Sequence, residues 1–286
     1  MNSPKTPQSR RKKSAGRNLP AAIAVAVGLL VWIFSGLLWQ PWIFVSFWAT
    51  ALFAGSWEVL RALDKLEMHG ERLPILIGVP LSVAAGYGFS VWQNSSNGLV
   101  AVFAILLFTS LFALFGHLRR GAENFVKDAS ASFFTIGYLG ILGAPAGLLL
   151  AQPDGGLRLV FLFSCVPCSD TGAYLFGSLF GKRKLAPKIS PGKTWEGLFG
   201  GLLSSAAIGA VLAELLIDSQ WYVGVAIGLV LGLTATLGDL VESMVKRNTG
   251  LKDMSNLLPG HGGAMDRLDS LLASAPVLWL LMYLLV

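Results

Sequence analysis

The sequence predicts an all-α, polytopic membrane protein of about nine transmembrane helices with its N-terminus in the cytoplasm. Hydrophobic residues make up 54% of the 286 positions and charged residues 13%, with a mean hydropathy of +0.64. That is too apolar for a soluble domain. Apolar runs of about 20 residues, the length that crosses a bilayer core, recur along the chain. The basic residues fall in alternate loops: six in the N-terminal tail, three from Arg61 to Arg72, three from Arg119 to Lys127, five from Lys182 to Lys193 and four from Lys246 to Arg267. By the positive-inside rule these mark one side of the membrane, and only Arg158 falls on the other.

Residues 1–18, MNSPKTPQSRRKKSAGRN, are basic and polar and predict a disordered cytoplasmic tail lying against anionic headgroups. The tail supplies most of the net charge of +6, so that charge reports topology and not nucleic-acid binding. No small-residue cleavage site follows it. Residues 19–286 then form one transmembrane catalytic domain. Its predicted segments run from Leu19 to Leu38, Trp42 to Leu60, Pro74 to Trp92, Gly98 to Gly116, Ser130 to Ala151, Leu157 to Phe176, Gly197 to Ile217, Trp221 to Gly238 and Ser270 to Val286. The first two join at Gln40-Pro41 and could form one kinked hairpin, but eight segments would break the alternation of basic loops. Cys165 and Cys168 form a CxxC inside the sixth segment with no second pair and no nearby His, which reads as apolar packing. Glu58, Arg61, Glu67, Glu123 and Lys127 read as solvated loop charges.

Chemistry concentrates between about 165 and 270. The run from Ser243 to Ser270 gathers bases, acids, a His and a Gly-Gly pair between two apolar stretches. If the preceding helix continues through Lys246, then Asp239, Ser243 and Lys246 share one face at i, i+4 and i+7 and aim a carboxylate and an ammonium at one pocket. Asp266 and Asp269 stand at i and i+3 at the start of the last segment, where Asp269 or Ser270 could cap the helix and free amides favour an anion. Pro259, Gly260, Gly262 and Gly263 mark a tight turn. Upstream, Asp170 lies at the end of a span, at a cost of about 2.5–3.5 kcal/mol on insertion scales that a local Lys or a functional partner must offset. The loop FGKRKLAPKISPGKTWEG follows, with prolines holding it out of a helix.

The positions Ser243, Lys246, Arg247, Lys252, Asp253, Ser255, Pro259, His261, Gly262, Gly263, Asp266, Arg267 and Asp269 closely resemble the signature of the phosphatidate cytidylyltransferases, the CDP-diacylglycerol synthases. Ser169-Asp170-Thr171 and Ser190-Pro191-Gly192-Lys193-Thr194-Trp195-Glu196-Gly197 resemble two further blocks of that family. Ala264 stands where the family usually carries a larger apolar residue, while the first four segments match nothing specific.

The resemblance implies that phosphatidate attacks the α-phosphorus of CTP in line, releasing pyrophosphate, with Mg²⁺ and room for a second cation. It implies Asp239 and Asp266 as metal ligands and, with Lys246 and Arg267, as the catalytic set. Asp170, Ser190, Lys193, Thr194, Glu196, Ser243, Arg247, Lys252, His261, Gly262, Gly263 and Asp269 follow as substrate-binding residues, and His261 serves equally as a structural hydrogen bond in the turn. The implied setting is a bacterial cytoplasmic membrane with the site on the cytoplasmic side, membrane lipids as partners and a homodimer that no motif in the chain itself encodes. Nothing reads the lipid tail, so an ether lipid or polyprenyl phosphate acceptor stays open. A secondary transporter would instead place ionisable groups near the midplane of paired broken helices.

Overall fold

A computed structural model describes residues 19–286, and the basic tail expected at residues 1–18 lies outside them. Among the described residues the chain forms α1 (Leu19–Leu38), α2 (Pro41–Asp64), α3 (Arg72–Trp92), α4 (Ser95–Leu118) and α5 (Phe125–Thr135). A π segment (Ile136–Ile141), α6 (Pro145–Leu150), α7 (Gly155–Phe180), α8 (Trp195–Leu216), α9 (Trp221–Asn248) and α10 (Met265–Leu285) follow. A two-stranded antiparallel hairpin, β1 (Lys184–Ala186) and β2 (Ser190–Thr194), interrupts this all-α order between α7 and α8.

Eight rods, counting α5 through α6 as one, are long and apolar enough to cross a membrane, and α1 adds a shorter apolar stretch, Ile23–Leu38. Gln40 and Pro41 separate α1 from α2 as N-cap and first helical residue, so the first two segments are distinct helices. The fifth segment is not one regular α-helix. It carries glycines at 137, 140 and 143 and a proline at 145, and it loosens into the π segment. The carbonyl of Gly143, just past that loosened turn, accepts a 2.9 Å hydrogen bond from the indole of the buried Trp48.

Packing of the C-terminal helices uses small side chains. The buried positions of α8 are Gly197, Gly200, Gly201, Ser205, Ala206, Gly209 and Ala213, a helical stripe on which α7 and α9 close at short range. Lipid tails are as apolar as Leu, so close backbone approach does here what hydrophobic burial does in water. Cys165 joins this packing, its thiol 3.9 Å from the carbonyl of Ser205, and both cysteines are free.

The basic loops meet at one end of the bundle. Asp128 accepts from the backbone of His69, and Arg120 pairs with Glu71 at 3.0 Å, joining the α2–α3 and α4–α5 connections. Arg247 donates to the carbonyl of Ile189 at 3.0 Å, joining the end of α9 to the hairpin. Arg158 lies at the opposite end, bonded to Gln152. With Cys165 and Cys168 replaced by Ser, single cysteines at Ser190 and Ser255 should label with an impermeant maleimide from one side of sealed vesicles, and one at Asp154 from the other. Labelling of 190 and 255 from opposite sides would refute this arrangement.

Candidate active site

Helix α9 runs ten residues beyond the apolar segment that the sequence marks, and this extension carries the site. The repeat of polar residues at 239, 242, 243 and 246 keeps one face of the last turns polar while Val241 and Val245 pack inward. Ser243 donates to Asp239 Oδ1 at 3.2 Å, and Lys246 pairs with Glu242 one turn back, the i, i+4 arrangement. Lys246 also reaches α10, where its Nζ lies 2.9 Å from Asp266 Oδ1. One ammonium therefore binds a carboxylate on each of two helices.

The two helices touch where the acids sit. A Cβ on Gly238 would lie 2.4 Å from the carbonyl of Asp269, so only glycine allows α9 and α10 this approach. The neighbouring Asp239 and Asp269 are thereby brought side by side. Asp239, Glu242 and Asp269 each offer a carboxylate oxygen, and these oxygens lie within 4.8 Å of one another. Glu242 is 1% exposed, and its Oε1 has no hydrogen-bond partner among the described residues. A buried carboxylate oxygen without a donor costs desolvation that a cation would offset. Three convergent carboxylates suit a hard divalent cation.

Asp266, expected beside Asp239 as a ligand, is otherwise engaged. Oδ1 holds Lys246, and Oδ2 accepts from the backbone N–H of Met254 at 3.0 Å and of Gly263 at 2.8 Å. It fastens the turn before α10 to the helix. Neither Asp269 nor Ser270 caps α10, because the helix begins five residues earlier than expected, at Met265. The cap comes from Glu58 on α2. This residue reads from sequence as a solvated loop charge and is in fact fully buried. Its carboxylate accepts from the N–H groups of Ala264 at 3.0 Å and Met265 at 2.7 Å and from the hydroxyl of Ser255. A carboxylate on the free amides of a helix start satisfies both the orphan donors and the helix dipole.

The hairpin brings the remaining cation. Thr194 ends β2 and caps α8, its hydroxyl oxygen accepting from Gly197 N at 3.1 Å, and the preceding Lys193 reaches Asp239 Oδ2 at 2.8 Å and the carbonyl of Thr236 at 3.3 Å. Glu196 accepts from the backbone N–H of Arg183 and so holds the hairpin's entry strand.

Two cavities meet at the acids. One, of about 570 Å³, extends between α7 and the hairpin and is lined by Asp170, Ser190, Lys193 and Thr194. The other, of about 480 Å³, lies under the Gly-rich turn and is lined by Lys246, His261 and Gly262. Asp239, Asp266, Arg267 and Asp269 line both. Asp170 forms no ion pair with Lys182 or Lys184 and faces the first cavity.

The structure brings together most of the residues singled out from sequence, but not all. Arg247 is turned to Ile189 and Lys252 lines a separate basin, so neither borders the two cavities. His261 donates within its own turn to the carbonyl of Pro259 at 3.3 Å while facing the second cavity, and its carbonyl accepts twice from Arg267. Gly263 is required by Glu58, since a Cβ there would lie 2.7 Å from the carboxylate. Sequence reasoning missed Glu242 and Glu58. The first could have been found as the i+3 neighbour of Asp239 and i−4 neighbour of Lys246, whereas nothing local to Glu58 announces partners about 200 residues away.

The model of the cytidylyltransferase family matches residues 20–285. The phosphatidate cytidylyltransferase of Mycobacterium leprae is 40% identical over 284 residues, covering 95% of this chain and 89% of that protein. The protein of that name from Haemophilus influenzae is 45% identical over 270 residues, covering 88% and 85%, and that from Staphylococcus epidermidis is 33% identical over 272, covering 93% and 98%.

Replacing Glu58 by Ala strands two buried N–H groups, at about 1–3 kcal/mol each. The unfolding midpoint in detergent should fall by several degrees. Gly263→Ala should destabilise comparably by crowding the same carboxylate, and the double variant should cost less than the two singles added. Strict additivity would show that the contact does not govern either site.

Proposed function

The chain belongs to the cytidylyltransferase family, and we propose that the acid cluster of α9 and α10, with Lys193, is the reacting centre where the cytidylyl group of CTP passes to phosphatidate. The protein is a multi-pass membrane enzyme that makes CDP-diacylglycerol and pyrophosphate from CTP and phosphatidate. In this reaction a phosphate oxygen of phosphatidate forms a bond to the α-phosphorus as the bond to the β-phosphate oxygen breaks. The lipid phosphate is its own nucleophile, so no side chain needs to form a covalent intermediate.

What the protein must overcome is repulsion. The two substrates are anions, and the walls facing them already carry Asp170, Asp239, Asp266 and Asp269, with Glu242 buried behind them beside Lys246, against Lys193, Lys246 and Arg267. Such a site works only with additional positive charge. We assign Mg²⁺ to Asp239, Glu242 and Asp269, the three carboxylates whose oxygens converge within 4.8 Å, and this convergence beside Lys193 is the observation that carries the reading. When bound, the ion supplies charge to phosphate oxygens as the transferred group is released.

The side chains divide the remaining work. Lys193 is held by Asp239 and Thr236 at the edge of the first cavity, where its ammonium can pass from carboxylate to a substrate phosphate oxygen. Thr194 can donate its hydroxyl proton to a phosphate while its oxygen keeps capping α8. Asp266 acts as a positioning group: it fixes Lys246, whose charge keeps Glu242 oriented, and it ties Met254 and Gly263 to α10. Arg267 borders both cavities and is suited to the phosphates that span them. The end of the bundle that bears the basic loops is read as cytoplasmic, in a bacterial cytoplasmic membrane, which gives the centre access to soluble CTP.

Purified protein incubated with labelled CTP, phosphatidate and Mg²⁺ should yield labelled lipid, with none when the metal is chelated or the lipid phosphate is missing. Asp239→Asn, Glu242→Gln and Asp269→Asn should each lower turnover about 10²- to 10³-fold, equivalent to several kcal/mol of transition-state stabilisation. Glu67→Gln, 87% exposed in its side chain, should leave it unchanged. Near-normal turnover by the Glu242 variant would remove that residue from the metal site. Full turnover of labelled CTP without divalent metal would remove the metal itself.

A further inference from the structure

A third cavity opens at the basic end of the bundle, about 570 Å³ in volume and bordered by the last turns of α2 and the segment 251–257. Trp57, Arg61 and Lys65 lie at i, i+4 and i+8 and form its wall on α2. Lys252 contributes a third cation from the facing loop. The Arg61 guanidinium sits 5.3 Å from the centre of the Trp57 ring, which holds it over an apolar surface without neutralising it. Among the described residues none of the three cations makes an ion pair, and Asp253 is the single acid in the lining. Cations at a helix C-terminus gain from the helix dipole alone. The dipole does not account for a cation brought from 190 residues away to face them across an aromatic-walled basin.

We propose that this basin binds the headgroup phosphate of an anionic phospholipid other than the reacting phosphatidate. A phosphate has the charge and acceptor count to engage Arg61, Lys65 and Lys252 together. A lipid source fits better than free phosphate because Trp57, Leu251 and the half-exposed Leu257 supply apolar rim beside the cations. The basin lies at the end of α2, a helix long and apolar enough to cross a membrane, and so at the level where anionic headgroups would be concentrated.

Occupancy reaches the acid cluster through the chain itself. Met254 N–H donates to Asp266, Ser255 donates to Glu58, and Glu58 is the residue next to Trp57. A headgroup bridging α2 and the loop therefore holds together the same two elements that Glu58 and Ser255 join, and it steadies Asp266 beside Lys246.

The test uses the full-length protein and two readouts. In native mass spectrometry from mixed micelles, phosphatidylglycerol should be retained over phosphatidylcholine. Arg61→Gln with Lys65→Gln should weaken that retention about thirtyfold, from roughly one headgroup interaction lost per cation. Arg61→Lys with Lys65→Arg, which keeps both charges, should restore it and guards against misfolding. Equal retention by the glutamine variant overturns the proposal. Displacement of the lipid by millimolar inorganic phosphate overturns its lipid identity.

In phosphatidylcholine vesicles at fixed phosphatidate, added phosphatidylglycerol should raise turnover of the native protein several-fold and leave the glutamine variant flat, with equal rates in its absence. This arm alone rests on the proposed reacting centre. A variant already slow without phosphatidylglycerol would assign the basin to substrate binding and sink its separate role. Absence of any cytidylyl transfer by the native protein would instead count against the proposed centre and leave the retention result standing.

Discussion

Lys246 is the charge on which the basic end of the molecule depends. Its ammonium bonds Glu242 on its own helix and Asp266 on the next, both carboxylates being largely shielded from solvent. Taking three charged groups from water is expensive, and the attraction among them repays that only when geometry is good and remaining lone pairs are satisfied. Asp266 meets the condition fully, with two backbone donors on its second oxygen. Glu242 does not: one of its oxygens is without a hydrogen-bond donor among the described residues, and its carboxylate joins a cluster with Asp239 and Asp269. Removing Lys246 would leave two buried anions facing a third, which explains why the helices carry an ammonium there and not an apolar side chain.

The geometry then follows from two close approaches. Gly238 lets α10 lie against α9 at the level of the acids, and the glycine-rich face of α8 lets α7 and α9 close around the hairpin that delivers Lys193. Neither approach depends on a large side chain. The proposed site is held by backbone proximity on its apolar side and by ion pairs on its polar side, so the same helices are long and apolar enough to span a membrane and also carry the clustered charges.

The spans were legible because apolar length is a local property of the sequence and the bilayer imposes it directly. The cationic and acidic blocks were legible because their residues are close in the chain, as with Asp239, Ser243 and Lys246 on one helix face. The limits of α9 and α10 were not, since a hydropathy window stops at the first charges, whereas the helix continues for as long as its polar face has partners. Glu242 lies within reach of helical spacing, three residues after Asp239 and four before Lys246. Glu58 was beyond reach: a carboxylate two turns from a loop looks solvated unless its distant amides are known. The β-hairpin between α7 and α8 was likewise hidden behind prolines that predict only an irregular path.

The Glu58 contact also has a place in time. Its partners Ser255, Ala264 and Met265 follow it by 197 to 207 residues, so they leave the ribosome about 10–40 s later at ordinary rates of synthesis. Until then the Glu58 carboxylate on α2 lacks the three donors that receive it in the folded chain, all of which lie in the segment leading into the last helix or at its start. The start of α10 is therefore where assembly is completed: a chain truncated before it lacks both amide donors of Glu58 and the Asp269 carboxylate of the acid cluster, so the proposed centre cannot assemble ahead of the last helix.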